Sequence, residues 1–266
     1  MDIRINSFFT LNPDEIKKIS QNMPSAYNLL PSSAYFASST PYNYYLYEIG
    51  DVFGNGVKGR LDAAASNKML VTTGRNQLLL DNAVANHSLL DGLNPQDYGV
   101  ESFNIVGCGT PTLGQIYIDN KTKSEYTYHI KYISGDGTVP LRSAEGMHTD
   151  HTYFVNEATH ALMLSQNDVT SIIGSILDGG DIVADTDDSK CSLPDGTIVS
   201  IHSPIDLQIY DSQGNHTGPN NQGDIEYGIP GVVYDVIDGN KFAFMPHNIT
   251  YTLSFNATGV GTAGLS

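Results

Sequence analysis

The predicted fold depends most on one stretch, Tyr126-Thr-Tyr-His-Ile-Lys-Tyr-Ile133 followed by Ser134-Gly-Asp-Gly-Thr-Val-Pro140. An apolar strand ends there at a glycine-flanked turn. Such a turn exposes Asp136 at the C-terminal edge of a sheet, where α/β proteins place their active sites. A carboxylate in that position can hold a histidine in one tautomer and stabilise the imidazolium that forms during acyl transfer. Because Asp-Gly is also common in turns, spacing alone leaves open whether Asp136 is catalytic or only forms the turn.

A catalytic histidine should follow this acid in the sequence, as it does in a large class of α/β enzymes. His148, His151 and His160 satisfy that order. His160 is the favoured base because it opens a predicted amphipathic helix, residues 158–177, after the loop in which such enzymes present their base. His148 and His151 lie in a polar segment that is typical of surface residues, with His151 the second candidate.

The nucleophile of such a triad is missing from the sequence. No Gly-X-Ser-X-Gly occurs, the strained turn that exposes a catalytic serine. Cys108 does not replace it, since it follows the strand that precedes the acid and a buried core thiol explains it better. Cys108 and Cys191 are the only cysteines, and both a disulfide and two thiols remain open.

An ordered set of motifs resembles one known family. The set consists of Asn22-Met-Pro-Ser25, Leu29-Leu-Pro31, Tyr35-Phe36, Val106-Gly-Cys-Gly-Thr-Pro-Thr112, Gly135-Asp-Gly-Thr-Val-Pro140 and Thr159-His160. In this order it resembles the C-terminal half of lecithin:cholesterol acyltransferase-like lipases, over residues 20–177. The resemblance implies an α/β fold, namely the C-terminal half of an α/β-hydrolase fold without its nucleophile half.

Several functional expectations come from this resemblance. It implies that Asp136 is the triad acid, that His160 is the base, and that residues 32–100 form a cap or lid. It also implies a lipid or other acyl-ester substrate, transient contact with a membrane or lipid surface, and a secreted or cell-surface enzyme. The serine and the oxyanion hole would lie upstream of this chain, as would any export signal, because Met1 to Asn6 lack a signal pattern.

Sequence patterns beyond these motifs predict the remaining organisation. Leu78 to Leu93 has a helical period, Ser102 to Gly107 suits a buried strand, and Leu113 to Ile133 suits a hairpin. We expect residues 1–177 to form the hydrolase-like domain and residues 178–195 an acidic linker. Short alternating runs with turn signals over residues 196–266 predict a small all-β sandwich. The tyrosines of residues 42–47 either pack beneath the cap or line an acyl cleft.

Composition excludes some classes of partner. The formal net charge is −16, from 29 acidic and 13 basic residues, which disfavours nucleic acid. No apolar run is long enough for a transmembrane segment. Four aspartates of the linker could supply oxygen ligands for calcium but lack EF-hand spacing; they are Asp181, Asp185, Asp187 and Asp188. A solvated linker is therefore the favoured interpretation, and no metal is predicted. No cofactor is predicted either.

Two functions from different classes therefore follow from the sequence. The first is a serine lipase, esterase or O-acyltransferase, of which this chain alone would be an incomplete and inactive fragment. The alternative is a non-catalytic hydrolase remnant whose β-domain binds a surface or a carbohydrate.

Overall fold

A computed structural model describes residues 13–37, 43–53, 56, 58–122, 125–202, 204–261 and 264–265. Residues 1–6, which lack an export-signal pattern, lie outside the described residues. The described chain mixes helices and strands in several sheets, as expected for an α/β region followed by a β-rich one. It divides into two compact units, one of residues 24–193 and one containing the described residues before Pro24 and from Pro194 onward.

Helices and short strands alternate in the first half of the 24–193 unit. In chain order, with α1 (Pro13–Ser20) belonging to the other unit, these elements are α2 (Pro24–Asn28), α3 (Ser33–Ala37), β1 (Leu46–Ile49), β2 (Gly59–Arg60), α4 (Ala63–Thr72) and α5 (Gln77–Asp91). Helix α5 confirms the helical period of residues 78–93. Asn76 caps it, its side chain accepting a hydrogen bond from the backbone N–H of Leu79.

The second half of this unit carries the predicted motifs. Its elements are β3 (Phe103–Cys108), β4 (Thr110–Thr122), β5 (Glu125–Gly135), α6 (Leu141–Ala144), β6 (His151–Asn156) and α7 (Asn167–Asp178). Strand β3 confirms the buried strand, and antiparallel pairing of β4 with β5 confirms the hairpin. The β4–β5 hairpin belongs to a four-stranded sheet in the order β2-β1-β4-β5, whereas β3 and β6 form a separate parallel pair.

The prediction of one continuous helix over residues 158–177 is wrong in its first part. A 3-10 helix spans His160–Ser165, and α7 begins only at Asn167. Gln166 between them has an extended backbone, with φ −80° and ψ 137°. The apolar spacing alone does not show this break, because the same side chains suit either kind of helix.

Tyrosines on one side of the larger sheet pack against each other. The rings of Tyr47 and Tyr117 lie 5.1 Å apart, and Tyr44 donates or accepts a 3.0 Å hydrogen bond with the Tyr117 hydroxyl. Tyr44 is only 6% exposed, and burial raises the pKa of Tyr117 to about 12. Of the two interpretations of residues 42–47, packing is the one that these contacts support; residue 42 lies outside the described residues.

The unit that contains residues 194–266 is a sandwich of two four-stranded sheets. Its strands are β7 (Gly196–His202), β8 (Ile205–Asp211), β9 (His216–Pro219), β10 (Ile225–Tyr227), β11 (Val233–Ile237), β12 (Asn240–Pro246), β13 (Tyr251–Ala257) and β14 (Gly264–Leu265). The sheet orders are β10-β9-β8-β13 and β11-β12-β7-β14. Inward-facing residues of both sheets, among them Ile201, Leu207 and Tyr234, form one apolar core.

No helix among the described residues is long and apolar enough to span a membrane.

Candidate functional site

Two parallel strands of the 24–193 unit end at the same level and define one edge. Strands β3 and β6 pair in register from Phe103 opposite His151 to Cys108 opposite Asn156. Directly after β6 the backbone N–H of Glu157 donates to the Cys108 carbonyl at 2.7 Å. Glu157 has a left-handed backbone, φ 59°, which turns the chain over the strand ends towards His160.

The β4–β5 hairpin returns the chain to this edge, and so positions Asp136. Only Gly109 separates the end of β3 from the start of β4. The first residue of β4, Thr110, pairs with the last residue of β5, Gly135. Thr110 also forms an isolated bridge with Asp136. Asp136 therefore lies at the carboxyl end of β3, although it follows β5 in the sequence. The preceding apolar strand belongs to another sheet, which the sequence pattern did not reveal.

The carboxylate of Asp136 is buried and has a partner on each oxygen. Oδ1 accepts hydrogen bonds from the backbone N–H groups of Thr138 at 2.9 Å and Val139 at 2.7 Å. Oδ2 lies 2.9 Å from Nδ1 of His160. Asp136 is 5% exposed. Asp136 therefore does both things that the sequence left open. It forms the turn through the amides of Thr138 and Val139, and it binds the imidazole of His160.

A second hydrogen bond joins the same two residues through the main chain. The backbone N–H of His160 donates to the carbonyl of Asp136 at 2.8 Å. Because an ionised carboxylate only accepts, the ring hydrogen bond requires the proton on Nδ1, which leaves Nε2 of neutral His160 with a lone pair. The His160 side chain is 54% exposed. This imidazole is therefore oriented at one nitrogen and accessible to solvent.

Two glycines allow this close approach. A Cβ on Gly107 would lie 2.6 Å from Cε of Met163 and 3.0 Å from Cβ of Asp136. A Cβ on Gly135 would contact the carbonyl oxygen of Val139 and lie 2.5 Å from Oγ1 of Thr112. A side chain at Gly135 would displace the turn, because the contacted oxygen belongs to the backbone. At Gly107 the end of the Met163 side chain could move aside, so a side chain there would press only slightly on Asp136.

Supporting side chains were missed in the sequence analysis. Thr112 is buried, and its Oγ1 accepts a 2.9 Å hydrogen bond from the backbone N–H of Gly137. Oγ of Ser134 accepts a 2.9 Å hydrogen bond from the N–H of Gly109. Both hydroxyls lie within the sequence motifs named above. Only the pairing of β4 with β5 shows that these hydroxyls join the start of β4 to the end of β5.

The competing histidines lie elsewhere. His151 is the first residue of β6, so it lies at the strand end opposite to Asp136, where it stacks on Phe103 and bonds Glu101 at 3.2 Å. His148 is an exposed loop residue. Of the three candidates named from the sequence, His160 is the one hydrogen bonded to Asp136.

The two cysteines form a disulfide, so the prediction of a buried thiol at Cys108 is wrong. Burial itself is confirmed, since Cys108 is fully buried at the end of β3. The bond ties the segment around Cys191 to the strand that ends beside the Asp136–His160 pair, across 83 residues of sequence. Sequence spacing could not decide this pairing, which depends on the fold.

No nucleophile accompanies the pair among the described residues. No serine, threonine or cysteine side chain there is hydrogen bonded to His160, and both cysteines are oxidised. Within the same residues no cluster of three or more potential metal ligands occurs. In the predicted acidic linker Asp185 instead pairs with Lys190 at 2.7 Å.

A small cavity lies among helices α2, α3, α4 and α5, of which α2 precedes the predicted cap. Its volume is about 50 Å³, and its lining includes Tyr27, Leu80 and His87. Ligand sites usually enclose about 300–1,000 Å³. Neither Asp136 nor His160 lines this cavity. The chemistry of the paired side chains, and not the cavity, therefore identifies the candidate site.

Comparison of the chain with models of protein families gave no match, and comparison with curated proteins gave none either.

Proposed function

We propose that Asp136 and His160 are the acid and base of a Ser–His–Asp triad in a lipid-ester hydrolase or O-acyltransferase. The observation that carries this proposal is the 2.9 Å contact between Oδ2 of a buried Asp136 and Nδ1 of an exposed His160. Its position at the carboxyl ends of parallel strands β3 and β6 adds support, because α/β enzymes use that edge for catalysis.

The proposed fold follows the resemblance noted in the sequence. Strands β3 and β6 would be the last parallel strands of an α/β-hydrolase sheet, and the helices of residues 32–100 would form the cap. The catalytic serine and the oxyanion hole would come from sequence upstream of residue 1. The order Ser…Asp…His of that fold agrees with this arrangement.

Each residue has a defined role in the proposed reaction. Nε2 of His160 removes the proton from the serine hydroxyl as its oxygen attacks the ester carbonyl, and Asp136 stabilises the imidazolium. The imidazolium then protonates the leaving alcohol, which leaves an acyl-enzyme. In the second half of the reaction, Nε2 of His160 deprotonates water or an acceptor alcohol, whose oxygen attacks the acyl group. The same nitrogen then returns the proton to the serine oxygen as the acyl group leaves it.

The disulfide supports a location outside the reducing cytosol. Structural disulfides persist in secreted and cell-surface proteins and are rare in the cytosol. We accordingly propose that the enzyme is secreted or displayed at the cell surface, where lipid esters would be reached at a membrane or lipid surface.

Activity-based labelling tests the proposal. The gene product, with any coding sequence that runs continuously into Met1, is treated with a fluorophosphonate that labels activated serines. We expect one labelled serine in a Gly-X-Ser-X-Gly turn, with labelling abolished by His160→Ala. The matched control is His216→Ala, which removes a histidine that also bonds a carboxylate, and labelling should remain. Absence of labelling in the unmodified product, or labelling that survives His160→Ala, would overturn the triad.

The competing function is a hydrolase remnant with a surface- or carbohydrate-binding sandwich. The observation that favours it is the lack of a hydroxyl on His160 within the described residues. If the gene product is not labelled but binds cell-wall polymers or lipid vesicles, the binding function is favoured over the catalytic one.

A further inference from the structure

The sandwich has four edge strands among its described residues, and they differ in how they are protected. Strand β14 has two residues, β10 has three with Glu226 in the middle, and β11 has five with Asp235 in the middle. Short length and central charges are common devices against edge-to-edge pairing. Three of the four edges are therefore protected in a recognisable way.

Strand β13 is the exception. Its seven residues, Tyr-Thr-Leu-Ser-Phe-Asn-Ala, contain no charge and no proline. All seven pair with β8, and no described strand pairs with the opposite edge. Tyr251 and Leu253 pack against the core, but Phe255, on the same face by strand alternation, is 44% exposed. Among the described residues, this edge therefore has backbone groups that no other strand pairs with, beside an incompletely covered aromatic ring.

We propose that β13 pairs antiparallel with β13 of a second copy of this chain, about a two-fold axis at Ser254. In that register Leu253 lies opposite Phe255 of the second copy, and Thr252 lies opposite Asn256. Apolar residues thereby meet on the inner face and polar residues on the outer face, as the pleat requires. The sequence of β13 is self-complementary, which a two-fold contact demands.

Charge also favours this occupant. The chain carries a net charge of −16, so two copies repel each other wherever acidic surfaces meet. Of the four described edge strands only β13 and the two-residue β14 carry no acidic residue, so β13 is the longest of these edges that two copies can pair without placing carboxylates on the paired strands. We therefore expect association to strengthen when added salt screens the remaining repulsion.

Cysteine cross-linking tests the register. Residues directly opposite in an antiparallel pair have Cα atoms about 4.5–5.5 Å apart, which suits a disulfide. Ser254→Cys should therefore give a covalent dimer under mild oxidation. In Thr252→Cys the two thiols would be four residues apart along the strands, about 13 Å, and should not cross-link. The native chain contributes no free thiol, because Cys108 and Cys191 are already bonded.

Sedimentation of the unmodified chain tests the association itself. We expect the mass to rise from one to two chains with concentration, and Ser254→Lys to abolish the rise. Val236→Lys adds the same charge on the exposed edge strand β11 and should leave the rise intact. A monomer at all concentrations, a dimer that survives Ser254→Lys, or equal cross-linking of both cysteine variants would overturn the proposal.

Discussion

Two histidine–carboxylate pairs of nearly equal geometry occur in the two units. Nδ1 of His160 lies 2.9 Å from the Asp136 carboxylate, and Nδ1 of His216 lies 2.8 Å from the Glu226 carboxylate. Their exposure is reversed. The Asp136 side chain is 6% exposed and that of His160 54%, whereas the values are 51% for Glu226 and 17% for His216.

The difference shows that the role of a histidine–carboxylate pair depends on the other hydrogen bonds and the solvent exposure of its histidine. His216 is bonded at both ring nitrogens, since Nε2 contacts Oε1 of Gln208. It therefore holds strands β8, β9 and β10 together on one face of a sheet. His160 has one oriented nitrogen, no described partner on the other, and access to solvent. A structural role suits the first arrangement and proton transfer suits the second.

Replacement of the buried acid should produce the largest effect. In Asp136→Asn the amide N–H₂ can donate to Nδ1 of His160, which would place the ring proton on Nε2 and remove the lone pair of the proposed base. In the gene product that includes any coding sequence running continuously into Met1, we expect kcat for a p-nitrophenyl ester to fall about 10³–10⁴-fold. Glu226→Gln is the matched change in the other pair and should alter kcat by less than about twofold. Equal losses in both variants would show that the two pairs are not functionally different.

Reduction of the disulfide should destabilise one unit selectively. The bond closes a loop across 83 residues, which by chain entropy corresponds to about 4.5 kcal/mol of stability. Both cysteines lie in the 24–193 unit. Hydrogen exchange in dithiothreitol should accelerate in β3 and β6 while β7 and β8 stay protected. Uniform acceleration in both units would contradict this expectation.

Addition of one methyl group beside the acid should also be costly. Gly135→Ala places a Cβ against the Val139 carbonyl oxygen, and we expect a loss of about 2–3 kcal/mol in urea unfolding. Gly174→Ala is the control in helix α7, where a Cβ would contact nothing within 4 Å. It should stabilise by about 0.5–1 kcal/mol, because alanine restricts the unfolded chain. A neutral Gly135→Ala would mean that the turn tolerates displacement.

The smallest expected effect is a pH dependence in the second pair. The hydrogen bond from His216 lowers the pKa of Glu226 from its ordinary value, so the ionised form of Glu226 stabilises the fold. This contribution is complete above the unfolded pKa and is lost as pH falls through the lower folded pKa. The Tm difference between the unmodified protein and Glu226→Gln should therefore persist at neutral pH and shrink below pH 4.5. A difference that stays constant into strong acid would exclude this ion pair as its cause.

Local sequence was sufficient for several individual helices and strands. The period of residues 78–93 predicted α5, and alternating runs predicted the sandwich strands, because both patterns follow directly from backbone geometry. Asp136 and His160 were singled out from turn chemistry, residue order and resemblance. No sequence feature distinguished the environment of His160 from that of His216, which also lies near a carboxylate.

Sequence alone therefore singled out Asp136 and His160 as candidates and predicted helix α5, strand β3, the β4–β5 hairpin and a β-rich C-terminal region. Tertiary structure decided what the sequence left open: the hairpin carries Asp136 to the end of β3, His160 and not His151 meets it, and Cys108 bonds Cys191. It also replaced the first turns of a predicted helix by a 3-10 segment, in which the His160 amide bonds the Asp136 carbonyl. The physical reason is that these choices join residues distant along the chain, whereas propensity and periodicity report only on neighbours.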